Sequence, residues 1–173
     1  GDSISTALIA SSYGAKTILI DVSNYAFEDV SVYQLLANEL RLKGVDVPNI
    51  EAARSLDEIL NICNAEYFTN GLESFHSLQN NSIDLVVSKA VLEHIYKDEF
   101  FNVMQECHRI MRKNAVSIHT VDLKDHLNKA LNNMISEGYM SKGDTTDDLI
   151  SYARSAFEDN SYMVQAKITE WSF

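Results

Sequence analysis

Apolar positions along this chain fall into two alternating rhythms. Short runs rich in β-branched residues come at 17–22, 66–69, 83–87 and 115–121. Each is bounded by turn-forming residues and is too short for a helix, so each predicts a strand. Between them the apolar residues recur at helical spacing. Ile4, Ala7 and Leu8 make a short stripe that Gly14 ends. Val32, Leu35, Leu36 and Leu40 make a second, ended by Gly44. Leu56, Ile59, Leu60 and Cys63 make a third, opened by a capping box in which Ser55 is the N-cap and Glu58 reaches back. Phe100, Val103, Met104, Cys107, Ile110 and Met111 make the strongest, with Asp98 expected as its cap. Lys113 and Asn114 are expected to stop it, the asparagine taking the left-handed conformation. His108 and Arg109 fall off that stripe and read as solvated or rim residues.

Residues 23–29 predict a loop carrying Tyr25 and Phe27, and 45–53, around the lone Pro48, an irregular stretch. Beyond 121, Leu123, Leu127 and Leu131 suggest a short helix. Thr146, Asp147 and Asp148 open a further helix with the stripe Leu149, Ile150, Ala153, Ala156 and Phe157. Tyr162, Val164, Ala166 and Ile168 alternate with polar neighbours, the period of a half-buried strand.

Strands alternating with helices predict an α/β fold: a Rossmann-like, mostly parallel sheet with helices on both faces and an antiparallel end. Residues 1–133 read as its core. Residues 134–173 read as an extension of the same domain that completes the sheet and the substrate side. The chain opens without an initiator Met and closes inside its last predicted strand, so it reads as a piece of a longer protein.

The 173 residues, 46% apolar and 23% charged, suit one domain with one core. The net charge of −11 repels phosphate backbones and disfavours nucleic acid as a partner. No run approaches a membrane span and no signal peptide is visible, so the cytoplasm is the expected compartment. Cys63 and Cys107 both fall on apolar helical faces and are expected as buried free thiols. Oligomeric state is not legible.

In an open parallel sheet, ligands bind outside the carboxyl ends of the strands. Four predicted strand ends carry polar groups there: Asp21; Asn70 and Gly71; residues 88–94; and residues 119–126. Asp21 follows Gly1 by 20 positions, the distance at which an acid after a glycine turn can hold ribose hydroxyls. Glu93 and His94 are the groups at the third end that can bond or move protons. His119, Asp122 and His126 lack the tight spacing of a metal site, and no metal is expected.

Ser82-Ile83-Asp84-Leu85-Val86-Val87-Ser88 followed by Val91-Leu92-Glu93-His94 resembles the class I S-adenosylmethionine-dependent methyltransferases that act on small molecules. The resemblance covers roughly residues 1–131. It implies that the family's first strand should precede Gly1, so the first strand is missing from this chain. It implies that Gly1, Asp2 and Ser3 are the tail of the glycine motif beside the methionine part of the cofactor. Asp21 then holds the ribose. Asn70, Gly71 and Leu72 form the adenine turn. Ser88, Lys89 and Ala90 line the methionine end, and Glu93 and His94 flank the substrate.

The function so implied is methyl transfer from S-adenosylmethionine to a small-molecule acceptor by in-line displacement, in which the protein mainly aligns the nucleophile. A hydroxyl acceptor would use a general base. His94 and His119 are the first candidates, with His126 behind them and Glu93, Asp122 or Asp125 as orienting partners. Two other readings compete. One is a non-catalytic or truncated accessory domain. The other is a nicotinamide dinucleotide oxidoreductase, disfavoured because residues 1–6 lack two of the three glycines of its phosphate-binding turn.

Overall fold

The structure, a computed structural model, describes residues 3–121. Gly1, Asp2, Asp122, Asp125, His126, the stripe from Leu149 to Phe157, the final strand and the boundary at 133/134 lie outside the described residues. Those described form two compact units that divide after Ser74.

In the first unit, α1 (Ser5–Ser11) leads through Gly14 into β1 (Thr17–Ile20). Two helices follow, α2 (Val30–Leu42) and α3 (Leu56–Ile62), before β2 (Ala65–Phe68). β1 and β2 pair in parallel, Thr17 opposite Ala65 and Ile20 opposite Phe68. Gly14 and Gly44 adopt the positive φ that helix ends favour, as their positions predict. Asp29 caps α2 by accepting from the Ser31 amide at 2.9 Å. Ser55 caps α3 as expected, accepting from Glu58 N at 3.2 Å. Glu58 Oε2 reaches back one residue further than a capping box requires and takes the Arg54 amide at 2.7 Å.

Ile4, Leu8, Tyr33, Ile50, Ile59 and Cys63 are fully buried in one cluster. Taking each large apolar side chain out of water contributes about 1.5–3 kcal/mol. The irregular stretch around Pro48 is tied down by α2. Gln34 donates to the carbonyls of Ile50, Glu51 and Ala53, and Arg41 donates to that of Pro48.

A single helical turn, α4 (Leu72–His76), runs across the division; only a turn is expected there from sequence. The second unit holds β3 (Ile83–Lys89), a 3-10 turn at Leu92–His94, α5 (Lys97–Ile110) and β4 (Met111–Thr120). β3 and β4 are parallel, Leu85 opposite Val116 and Ser88 opposite His119. Leu85, Val87, Val116 and Ile118 lie exposed, while Val86, Ser88, Ser117 and His119 are half-buried.

The stripe of α5 buries Phe100, Met104, Cys107 and Ile110 as its spacing predicts. Three expectations here need correction. The helix begins at Lys97 with Tyr96 as a cap that makes no side-chain bond, so Asp98 lies inside the first turn. Lys113 and Asn114 do not stop it. They lie within β4, and Asn114 is not among the residues of positive φ. Arg109 is no solvated rim group: its guanidinium donates to the carbonyls of Phe75 and Leu78 and to Asn80 Oδ1.

Cys63 and Cys107 are free and buried, as expected. No helix of the described residues is long and apolar enough to cross a membrane.

Candidate functional site

The carboxyl ends of β1 and β2 bring Asp21 and the Asn70-Gly71 turn together. The strand ladder continues through Asp21, whose amide donates to the Phe68 carbonyl at 2.9 Å. The Asp21 carbonyl then accepts from Gly71 N at 2.8 Å. This backbone clasp explains why a glycine stands there. Gly71 has φ +52°, and a Cβ on it would come 3.3 Å from Cγ1 of Val22. On the other side of the turn, Asn70 N donates to the buried Ser74 hydroxyl at 3.1 Å, and Leu72 opens α4. Asp21 Oδ1 accepts from the Val22 amide at 2.8 Å, which fixes the carboxylate at the strand end. Val22 is 72% exposed and offers an aliphatic surface beside it. Acid, aliphatic surface and glycine turn thus share one rim of the first unit.

The loop that leaves Asp21 is held by two tyrosines that sequence patterning does not single out. Tyr67 on β2 donates to the Ser23 carbonyl at 3.2 Å and accepts from Tyr25 N at 3.4 Å. Tyr33 on α2 donates to the Phe27 carbonyl at 3.0 Å.

The carboxyl ends of β3 and β4 form the rim of the second unit. Ser88 Oγ lies 2.7 Å from His119 Nδ1 across the strand pair. The Ser117 hydroxyl meets Nε2 of the same ring. Burial holds the His119 imidazole below its ordinary pKa and so favours its neutral form. Beyond Ser88 and the exposed Lys89, Ala90 takes φ +52°, a conformation that costs an L-residue free energy. Its amide donates to the Thr120 carbonyl at 2.7 Å, so this bend is tied to the end of β4. Glu93 and His94 follow in the 3-10 turn but part company there. Glu93 is 1% exposed, whereas His94 is exposed.

Ser3, the remaining described residue of the expected glycine motif, is exposed and accepts from Ser5 N at 3.0 Å, opening α1. Among the described residues no three His, Cys, Asp or Glu side chains come together as a metal set.

A family model described as a methyltransferase domain matches residues 1–119. No curated protein and no solved structure matches the chain significantly.

Proposed function

The chain belongs to the methyltransferase-domain family, and on that premise we propose that it transfers a methyl group from S-adenosylmethionine to a small-molecule acceptor. The observation that carries the cofactor is the rim of the first unit. A carboxylate at the end of β1 suits the two hydroxyls of a ribose. Exposed Val22 and the glycine turn suit a flat base beside it. The residues present therefore fit a nucleoside cofactor.

When bound, S-adenosylmethionine supplies a methyl group on a sulfonium, activated for in-line displacement. The chain's own residues have to bind, align and manage a proton. Asp21 accepts from the ribose hydroxyls. Asn70, Gly71 and Leu72 border the base. At the end of β3, Ser88, Lys89 and Ala90 are the groups that the family resemblance assigns to the methionine part of the cofactor. His94 is the stronger candidate to take a proton from a hydroxyl acceptor, because its ring is exposed. Both nitrogens of His119 already meet serine hydroxyls, which suits it to orient rather than to carry. Buried Glu93 is likewise an orienting group. The net charge of −11 favours a small acceptor over a nucleic acid.

The test is calorimetric titration of S-adenosylhomocysteine into the chain and into Asp21→Ala. Micromolar binding is expected, weakened in the variant by roughly 1–3 kcal/mol, the worth of a hydrogen bond to a charged group. A wild-type chain that binds nothing would overturn the cofactor assignment.

A further inference from the structure

We propose that His119 is a positioning residue for the methionine end of the cofactor: backed by Ser117, it turns the hydroxyl proton of Ser88 outward, toward a carboxylate. The inference rests on the assignment of the β3 end made above.

Ser88 and His119 stand opposite each other near the carboxyl ends of β3 and β4, and Ser117 lies two residues deeper on β4. Ser88 Oγ is 2.7 Å from Nδ1 of the ring and the Ser117 hydroxyl meets Nε2, so the three side chains form one chain of hydrogen bonds. Among the described residues, His119 is the only hydrogen-bond partner of either hydroxyl. Burial of the imidazole favours its neutral form.

With a neutral ring the chain holds three protons, one on each hydroxyl and one on the imidazole, and its two hydrogen bonds use two of them. One proton is left over. If Nε2 carries the ring proton, Ser88 donates inward and the leftover proton sits on Ser117, where the described residues offer it no acceptor. If Nδ1 carries it, Ser117 donates to Nε2 and the ring donates to Ser88. The leftover proton then points from Ser88 to whatever binds at the strand end. This second arrangement satisfies the deeper hydroxyl and aligns all three donors in one direction, which strengthens each bond. A ligand that accepts from Ser88 selects it.

The neighbouring charge indicates the acceptor. Lys89 follows Ser88, is exposed, and has no ion-pair partner among the described residues. A cation beside an outward hydroxyl proton suits an anion. The methionine part of the cofactor carries an ammonium and a carboxylate, and of these the carboxylate fits both groups.

The experiment follows the ring nitrogens by NMR in a histidine-labelled chain at about pH 7.5, where a ring of lowered pKa is neutral. With S-adenosylhomocysteine bound, the proton should sit on Nδ1. With an analogue that lacks the carboxylate, the Nδ1–H population should fall. A ring protonated on Nε2 in the S-adenosylhomocysteine complex, or the same tautomer ratio with both ligands, overturns the inference. Calorimetry with two variants adds an energetic readout. His119→Val should weaken S-adenosylhomocysteine by about fivefold and leave the analogue within about twofold of wild type. His119→Asn keeps an amide donor near the position of Nδ1 and should restore most of the affinity. Weakening of both ligands alike by His119→Val, or of neither, reduces His119 to packing and overturns the inference, as does His119→Asn behaving like His119→Val. The NMR measurement uses the wild-type chain and does not depend on a variant folding. Failure of the wild-type chain to bind S-adenosylhomocysteine overturns the cofactor assignment, and this inference with it. Binding with an unmoved ring overturns this inference alone.

Discussion

Ser88 and His119 meet across a parallel strand pair, the serine hydroxyl 2.7 Å from Nδ1 of the ring. Because the Ser117 hydroxyl meets the other nitrogen, a neutral ring has one hydroxyl as donor and the other as acceptor. A protonated ring would donate at both nitrogens, so one serine would have to turn its hydroxyl proton away. Hydrogen bonding and burial therefore both fit a neutral His119.

That preference makes stability depend on pH. The folded ring binds its proton less readily than an unfolded one, whose pKa is 6.5. The contribution of His119 is complete above that value and is lost as the pH falls through the lower folded value. Urea midpoints for wild type and His119→Gln, compared between about pH 7.5 and about pH 5, should show the wild type losing more. An NMR titration placing His119 at or above 6.5 would contradict the burial on which this rests.

Gly71 supplies a second prediction. Gly71→Ala must hold a left-handed residue and push its Cβ against Val22 at 3.3 Å. Gly14→Ala pays only the first cost, because nothing lies within 4 Å of a Cβ there. Gly14→Ala should therefore destabilise by about 1 kcal/mol, and Gly71→Ala by roughly 1 kcal/mol more, since Val22 has to give way. Chemical denaturation of both variants measures the difference. Equal losses would mean that Val22 yields freely and that the Asp21–Gly71 clasp is looser than its 2.8 Å bond implies.

The same positions show what the sequence could and could not reveal. Helical stripes and short β-branched runs located α1, α2, α3, α5 and the cores of all four strands, but not every buried face: α2 buries Tyr33 and Ala37 and leaves Val32 and Leu35 of its expected stripe exposed, and Leu85 and Val87 of the β3 run are exposed too. The acid at the end of β1 and the turn at Asn70 were legible as strand ends, which is where a parallel sheet places its chemistry. The start of β4 was not. Between the pairs Ile83–Met111 and Leu85–Val116, five residues of β4 run against two of β3. The polar residues of that irregularity look in sequence like a turn between helix and strand. α4 escaped because a helix of one turn is too short to repeat a stripe. The hydrogen bonds of Tyr67 to Tyr25 and Ser23 span 42 and 44 residues of sequence, a distance over which no local pattern carries information.

Arg109 makes further ties, over 29 to 34 residues, and yields a third prediction. Its guanidinium serves the carbonyls of Phe75 and Leu78, the side chain of Asn80, and Glu106 at 2.7 Å. A lysine cannot reproduce that planar fork. Arg109→Lys should cost about 2–3 kcal/mol, because part-buried carbonyls lose their donor. Glu106→Gln should cost less, since the remaining donors stay in place. The hydrogen bond from Arg109 lowers the Glu106 pKa, so this pair's contribution is present above the unfolded value of 4.5 and is lost as the pH falls through the folded one. Denaturation of the two variants at neutral pH checks the order.

The two thiols give the last prediction. Burial, with a smaller push from Glu106, raises Cys107 to a pKa of about 12. At pH 8 such a thiol is about one part in ten thousand thiolate, the form that attacks an alkylating reagent. Burial raises Cys63 as well, against a smaller opposing effect from the Ser11 hydroxyl. Iodoacetamide should therefore leave both cysteines unlabelled in the folded chain and label both once urea unfolds it. The two sites report on different units, because Cys63 closes α3 and Cys107 lies on the buried stripe of α5. If labelling of Cys107 appears at lower urea than labelling of Cys63, the second unit opens before the first. Rapid labelling of Cys107 without urea would contradict the packing of α5 described above.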